Sequence, residues 1–182
     1  SRKQAACTKS HHGKTYGITV RKVLVMNYSF IIRKATIDDA EAIQTITRIA
    51  FKKYIENTGL GTMEALEESI EDIIEDIQTK EVFVAFIDDV PVGTIRLKIN
   101  SDNTGYISRF GVNTEYHNIG IGKALINLID KLVKKKGIKR VTLHTASKYK
   151  DLIRFYYGRG FYIESTSSDR GYIRALLVKE YE

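Results

Sequence analysis

The stretch "HNIGIGKAL", residues 117–125, sets two glycines one residue apart immediately ahead of an apolar stripe with helical spacing. Glycine at the start of a helix leaves free backbone N–H groups at the positive end of the helix dipole, an arrangement that favours an anion. A nucleotide phosphate, a dinucleotide and a coenzyme A pyrophosphate would each suit such a turn. A P-loop requires G-x-x-x-x-G-K-[ST], but His117 stands five residues before Gly122 and Ala124 follows Lys123, so the hydroxyl that would hold magnesium is missing. A dinucleotide fingerprint requires a third glycine where Leu125 stands. A second stretch, "LIRFYYGRGFY", places the phenol of Tyr156 among aromatics four residues before a Gly-Phe pair; an aromatic packed there beside Phe155 and Tyr157 still needs a partner for its hydroxyl.

Other chemistries are excluded by what is absent. The single cysteine, Cys7, lies in the basic front segment, so from Met26 onward there is no disulfide, no cysteine nucleophile and no thiolate metal site. His11, His12, His117 and His144 show no ligand spacing, and no metal is expected. The net charge of +7 is concentrated in residues 1–25, which hold six cations and no acid, leaving 23 Lys+Arg against 22 Asp+Glu in the rest. That segment precedes Met26 and is expected to be an expression remnant outside a domain spanning residues 26–182; without an apolar stretch after its basic residues it does not read as a secretory signal. Nucleic-acid binding through it would collapse with salt and vanish on its removal, and is not the favoured reading. No run of about 20 apolar residues suits a membrane, so a cytoplasmic protein is expected.

The elements that must position these residues follow from periodicity. "SFIIRKA" reads as a strand, and Thr36 with Asp39 three residues on forms a capping box for a helix reaching about Tyr54. After "NTGLGT", a second helix carries Leu60, Met63, Leu66, Ile70, Ile73, Ile74 and Ile77 on one face and an acidic series from Glu64 to Asp76 on the other. "EVFVAFIDDVPVGTIRLKI" is a hairpin turning on Asp88, Asp89 and Pro91, and "GYISRFGV" continues the meander. The helix opened by the glycines ends in "KKKG", as cations and Gly137 favour. A strand "KRVTLHT", a short helix holding Tyr156, and two antiparallel strands close the chain. The order β-α-α-β-β-β-α-β-α-β-β predicts an α+β single domain with a central mixed, mostly antiparallel twisted sheet flanked by helices.

With these elements in place, His117-Asn118-Ile119-Gly120-Ile121-Gly122 resembles the acyl-CoA-binding motif [Q/R]-x-x-G-x-[G/A] of the GNAT superfamily of N-acetyltransferases, and "LIRFYYGRGFY" resembles its A-x-x-[LF]-Y-x-x-x-G-F signature. The resemblance covers about residues 30–182 in matching element order. It implies acetyl-CoA as cofactor, with its pyrophosphate wrapped by Ile119 to Lys123 beside His117 and Asn118, and its pantetheine paired to the backbone of Phe110 and Val112. His117 replaces the usual Gln or Arg, which makes the first anion contact weaker or pH-dependent, and Tyr149 stands where many members carry Asn. Lys148, Lys150 and Arg154 are candidates for the 3'-phosphate, or ordinary surface charge.

The resemblance also implies that Tyr156 protonates the departing thiolate, a modest need because a thiol pKa is about 8.5. Deprotonating a lysine-like acceptor of pKa about 10.4 at neutral pH costs about 4.6 kcal/mol, yet residues 104–112 contain no carboxylate of the kind some members use as base. Glu115, His144 and a carboxylate of the second helix are the candidates, and the acidic face is either a lure for a cationic amine or a solvated surface. The expected activity is direct acetyl transfer to a primary amine of a small molecule or peptide, and a homodimer is a common family solution. The alternative is a non-catalytic acyl-CoA-binding module of the same fold.

Overall fold

Alternation along β2, Glu81–Ile87, places Val82 and Val84 on one face and Phe83, Ala85 and Ile87 on the other, and both sets are buried, so this strand must be covered on two sides. The computed structural model, which describes residues 29–182, shows those two sides. The expected extension over residues 1–25, with Cys7, His11 and His12, lies outside the described residues, as does Met26. β1, Phe30–Lys34, is an edge strand antiparallel to β2. Thr36 then opens a 3-10 turn, Ile37–Asp39, which runs into α1, Ala40–Thr58. The expected capping box is present: Asp39 accepts the Thr36 N–H at 2.7 Å and is also gripped by Arg33 at 2.7 and 2.8 Å. α1 continues one turn past Tyr54 and stops at Gly59, whose φ of 72° lets its N–H return to Ile55.

The second helix expected from the apolar stripe is two. α2, Glu64–Glu67, ends at an extended Glu68, and α3, Ile70–Thr79, starts afresh from Ser69. Ser69 Oγ accepts the Asp72 N–H at 3.1 Å while Asp72 accepts the Ser69 N–H at 2.9 Å, a reciprocal cap that competes with a continuous helix. The break frees Glu68 to cross to Arg96, which is fully buried and binds it through both Nη atoms at 2.6 and 2.8 Å and Asp76 at 2.7 Å.

β2 turns through Asp88 and Asp89, with φ of 47° and 64°, into β3, Val90–Ile99; two positive φ values suit the right-handed twist of a two-residue hairpin. Pro91 is not in that turn but in β3 opposite Phe86, where the register shifts. β4, Gly105–Val112, α4, Ile121–Lys135, β5, Arg140–Ala146, α5, Lys150–Tyr157, β6, Tyr162–Ser167, and β7, Arg174–Glu180, complete the chain. The sheet order is β1-β2-β3-β4-β5-β7-β6, antiparallel except for β4 and β5, as the α+β mixed-sheet reading expects. One core joins Ile43, Ile46 and Ile73 of α1 and α3 to Val82 and Val84. The larger core packs Leu125, Ile126 and Ile129 of α4 against Ile95, Leu97 and Leu143. Among the described residues no helix is long and apolar enough to cross a membrane.

Candidate active site

The cleft begins where the sheet comes apart. β4 and β5 share only two rungs, Gly105 with Val141 and Tyr106 with Thr142, and then diverge. A bulge in β4 accompanies the divergence: Arg96 faces Ser108 and Thr94 faces Gly111, so β4 carries one residue more than β3, and Arg109 takes a φ of 49°. Gly111 follows because α1 crosses there; a Cβ on it would stand 2.7 Å from Cβ of Ala50. The gap opens into a cleft of about 720 Å³ reaching the start of α4 and one face of α5.

At the head of α4, Asn118 and Gly120 have φ of 64° and 95°, and the first helical hydrogen bond runs from the Ala124 N–H to the Gly120 carbonyl. The N–H groups of Ile121, Gly122 and Lys123 therefore precede the helical ladder. Gly120 is required by conformation, since a Cβ on it would meet nothing within 4 Å. Gly122 is required by space, since a Cβ would lie 3.2 Å from Phe110 Cζ and 3.6 Å from Phe155 Cζ. Ile119 and Ile121 turn their side chains into the core, leaving backbone to face outward. His117 is exposed, and its Nε2–H donates to the Val112 carbonyl at 3.0 Å. It ties the glycine loop to the end of β4.

Tyr156 is 4% exposed and lines the cleft, its ring edge-on to Phe155 and Phe161. Burial pushes its phenol far above the ordinary value, and the neighbouring Tyr54 and Tyr106 add to the shift. Other tyrosines here have partners: Tyr54 accepts the Ala146 N–H and meets Thr145 Oγ1 at 3.2 Å, and Tyr106 meets His144 Nδ1 at 2.9 Å. Tyr156 has no such partner among the described residues. Phe110 stacks on Phe155 at 5.8 Å, and Tyr149, at the start of α5, accepts a hydrogen bond from Asn57 at 2.8 Å while packing edge-on to Tyr54.

Of the candidate bases, Glu115 is exposed and outside the cleft lining. His144 lines the cleft, and burial, then the charge of Arg174, lowers its pKa, so the imidazole is neutral at pH 7. The acidic face divides: Glu68 and Asp76 are spent on Arg96, Asp72 caps α3, and Glu64 and Glu67 alone of that face reach the cleft. Lys148, Lys150 and Arg154 are exposed and do not line it.

Residues 43–161 match the family described as acetyltransferase (GNAT) family. The chain belongs to that family. It is 28% identical over 165 residues to a spermidine N(1)-acetyltransferase of Thermoplasma acidophilum, covering 85% of this chain and 99% of that protein. Among solved structures, the PaiA N-acetyltransferase of Thermoplasma acidophilum in complex with coenzyme A superposes with a TM-score of 0.75 at 28% identity, covering 84% of this chain and 99% of that one. A GNAT-family acetyltransferase of Streptococcus pneumoniae shares the fold at a TM-score of 0.68 and 16% identity, over 85% of this chain and all of that one. The family read from two short motifs is thus the family found.

Several cleft residues of this GNAT chain carry no portable signal. Tyr54 reads as one more apolar position of a helix, Tyr106 as a strand aromatic, and Arg109, Arg170, Tyr172 and Arg174 as scattered polar residues. Arg109 alone had a clue, its place on the strand ahead of the glycine loop.

Proposed function

We propose that this protein moves an acetyl group from acetyl-CoA directly to a primary amine of a small molecule or peptide. The observation that carries the reading is the parting of β4 and β5 after two rungs, beside a helix start with glycine at 120 and 122 and with the Tyr156 phenol in the same cleft. The residues present fit coenzyme A: free N–H groups at Ile121, Gly122 and Lys123 suit a pyrophosphate, and the inner edge of β4 at Phe110 and Val112, not paired with β5, suits an amide-bearing arm. His117 acts by holding the loop against Val112, and Asn118 by its left-handed turn. Tyr149 supports the arm's side of the cleft through Asn57 and Tyr54.

Bound acetyl-CoA supplies a thioester whose leaving thiolate has a pKa of about 8.5. Tyr156 keeps its proton across the whole working pH range because burial disfavours the phenolate, so it serves as an acid and not as a base. His144, neutral and bonded to Tyr106, relays the proton shed by the amine toward solvent. With no cysteine from Met26 onward, transfer is direct. The acceptor is an amine, as the likeness to a spermidine N(1)-acetyltransferase supports.

Thiol release is measured over polyamines, aminoglycosides, amino acids and peptide amines. Tyr156→Phe is expected to lower kcat about 10²-fold with KM for acetyl-CoA unchanged. Coenzyme A binding without thiol release from any amine returns the non-catalytic reading.

A further inference from the structure

Three guanidinium groups line the acceptor side of the cleft, each from a different place in the chain: Arg109 from the bulge of β4, Arg170 from the β6–β7 connection, and Arg174 from the start of β7. They sit at different depths. The side chain of Arg174 is 15% exposed, that of Arg109 26% and that of Arg170 52%. The facing acids are shallower, with Glu67 exposed and Glu64 at 72% exposure and paired to Arg170. The deep carboxylate, Glu68, is already held by both Nη atoms of Arg96 and touches Arg109 only through Nε at 3.4 Å. Arg174 holds Asp169 through Nη2 alone, and its Nε is buried without a partner. Among the described residues, both Nη atoms of Arg109 and Nη1 of Arg174 are left without a protein acceptor.

The floor of the acceptor side is therefore cationic and the rim acidic. Charges in a water-poor floor act more strongly than charges on a solvated rim. All three arginines line the cleft together with Tyr106 and with His144 bonded to it, which gathers the cations in the same cleft as that pair. A polycation entering there would bring further ammonium groups against these guanidinium groups. A molecule with one amine and one carboxylate would satisfy the free donors, because the guanidinium fork matches a carboxylate. The same cations favour the neutral form of the amine, easing the deprotonation for which the cleft has no strong base.

We propose that the acceptor is a small amino carboxylate, with Arg174 and Arg109 binding its carboxylate and Arg170, reaching Glu64 from the rim, closing over it. This rests on the amine-acetylating reading and narrows it. The test uses the full chain and thiol release with matched acceptors: 4-aminobutyrate against butylamine, amino acids against their amides, and spermidine. Each carboxylate is expected to exceed its uncharged counterpart in kcat/KM by roughly tenfold to hundredfold. In Arg174→Gln and Arg109→Gln that ratio collapses toward one through KM, whereas Lys131→Gln, which removes a cation on α4 away from the cleft, retains it. Arg170→Gln, at an exposed position, is a second variant should the deeper ones fail to fold, and is expected to lower the ratio less. A merely structural loss would lower both partners of each pair and leave the ratio intact. Spermidine outperforming every amino carboxylate, or a ratio of one in the unaltered protein, overturns the proposal while leaving amine acetylation standing. Coenzyme A binding with no amine turned over removes both.

Discussion

The two walls of the cleft are built from different materials. The wall from Phe110 through Lys123 is a wall of backbone: a bulged strand parted from β5, two left-handed residues at Asn118 and Gly120, and a helix start where Ile119 and Ile121 turn into the core. The opposite wall is one of side chains, with Tyr54 from α1, Tyr106 and Arg109 from β4, Arg170 from the β6–β7 connection and Arg174 from β7. Backbone walls constrain sequence by forbidding atoms, whereas side-chain walls constrain it by demanding them. The first can serve one ligand common to a family; the second is free to change with the acceptor.

The comparison yields variants whose effects should differ in kind. The largest loss is expected from Arg96→Leu, which strands Glu68 and Asp76 and unties α2 and α3 from the sheet. Removing one partner of a buried ion cluster costs about 3 to 5 kcal/mol, visible in chemical unfolding, and Glu68→Gln in the same chain should recover part of it. Gly120→Val forces a β-branched residue to a φ of 95°, a strain of about 1 to 3 kcal/mol. Its signature is weakened coenzyme A binding by calorimetry with acceptor preference unchanged, and unaltered binding would break the backbone-wall account. Tyr54→Phe strips the Ala146 N–H and Thr145 of a buried partner at a cost of about 1 to 3 kcal/mol, and should perturb acceptor KM more than coenzyme A affinity. The smallest change is expected from His117→Gln, which retains a donor for the Val112 carbonyl and should shift coenzyme A affinity by less than about threefold. A large loss there would show that the imidazole meets the ligand itself.

Legibility in the sequence follows the same division. Gly120 and Gly122 were readable because left-handed backbone and missing space both demand glycine, and Tyr156 because its spacing to Gly160 and Phe161 is fixed by the turn after α5. The order of elements along the chain and the mixed character of the sheet follow from strand periodicity and helical crossovers, whereas the insertion of β7 between β5 and β6 has no local signal. The break at Glu68 did not, because an uninterrupted apolar stripe hides a cap whose cause is partly remote: Ser69 and Asp72 supply it locally, but Arg96, on a strand far along the chain, gives Glu68 a reason to leave the helix. Pro91 suits a turn by its type, although two aspartates at positive φ suffice. Glu115 looked like a base because it is a carboxylate near the loop in sequence; the 3-10 turn Thr114–Tyr116 leaves it exposed. The arginines of the acceptor wall are invisible because no local pattern records that three cations distant in the chain line one cleft.

The hydroxyl that Tyr54 lends to Ala146 has a consequence for time as well as shape. At the free end of β5, where a neighbouring strand would otherwise shield the chain, one amide depends on a single phenol reaching over from α1. Its exchange with deuterated solvent is therefore set by how often α1 lifts from the parted strands, not by the melting of the sheet. That amide is a built-in clock for the opening of the cleft: fast in Tyr54→Phe, slow in the intact protein, and slower still when a ligand bridges the two walls.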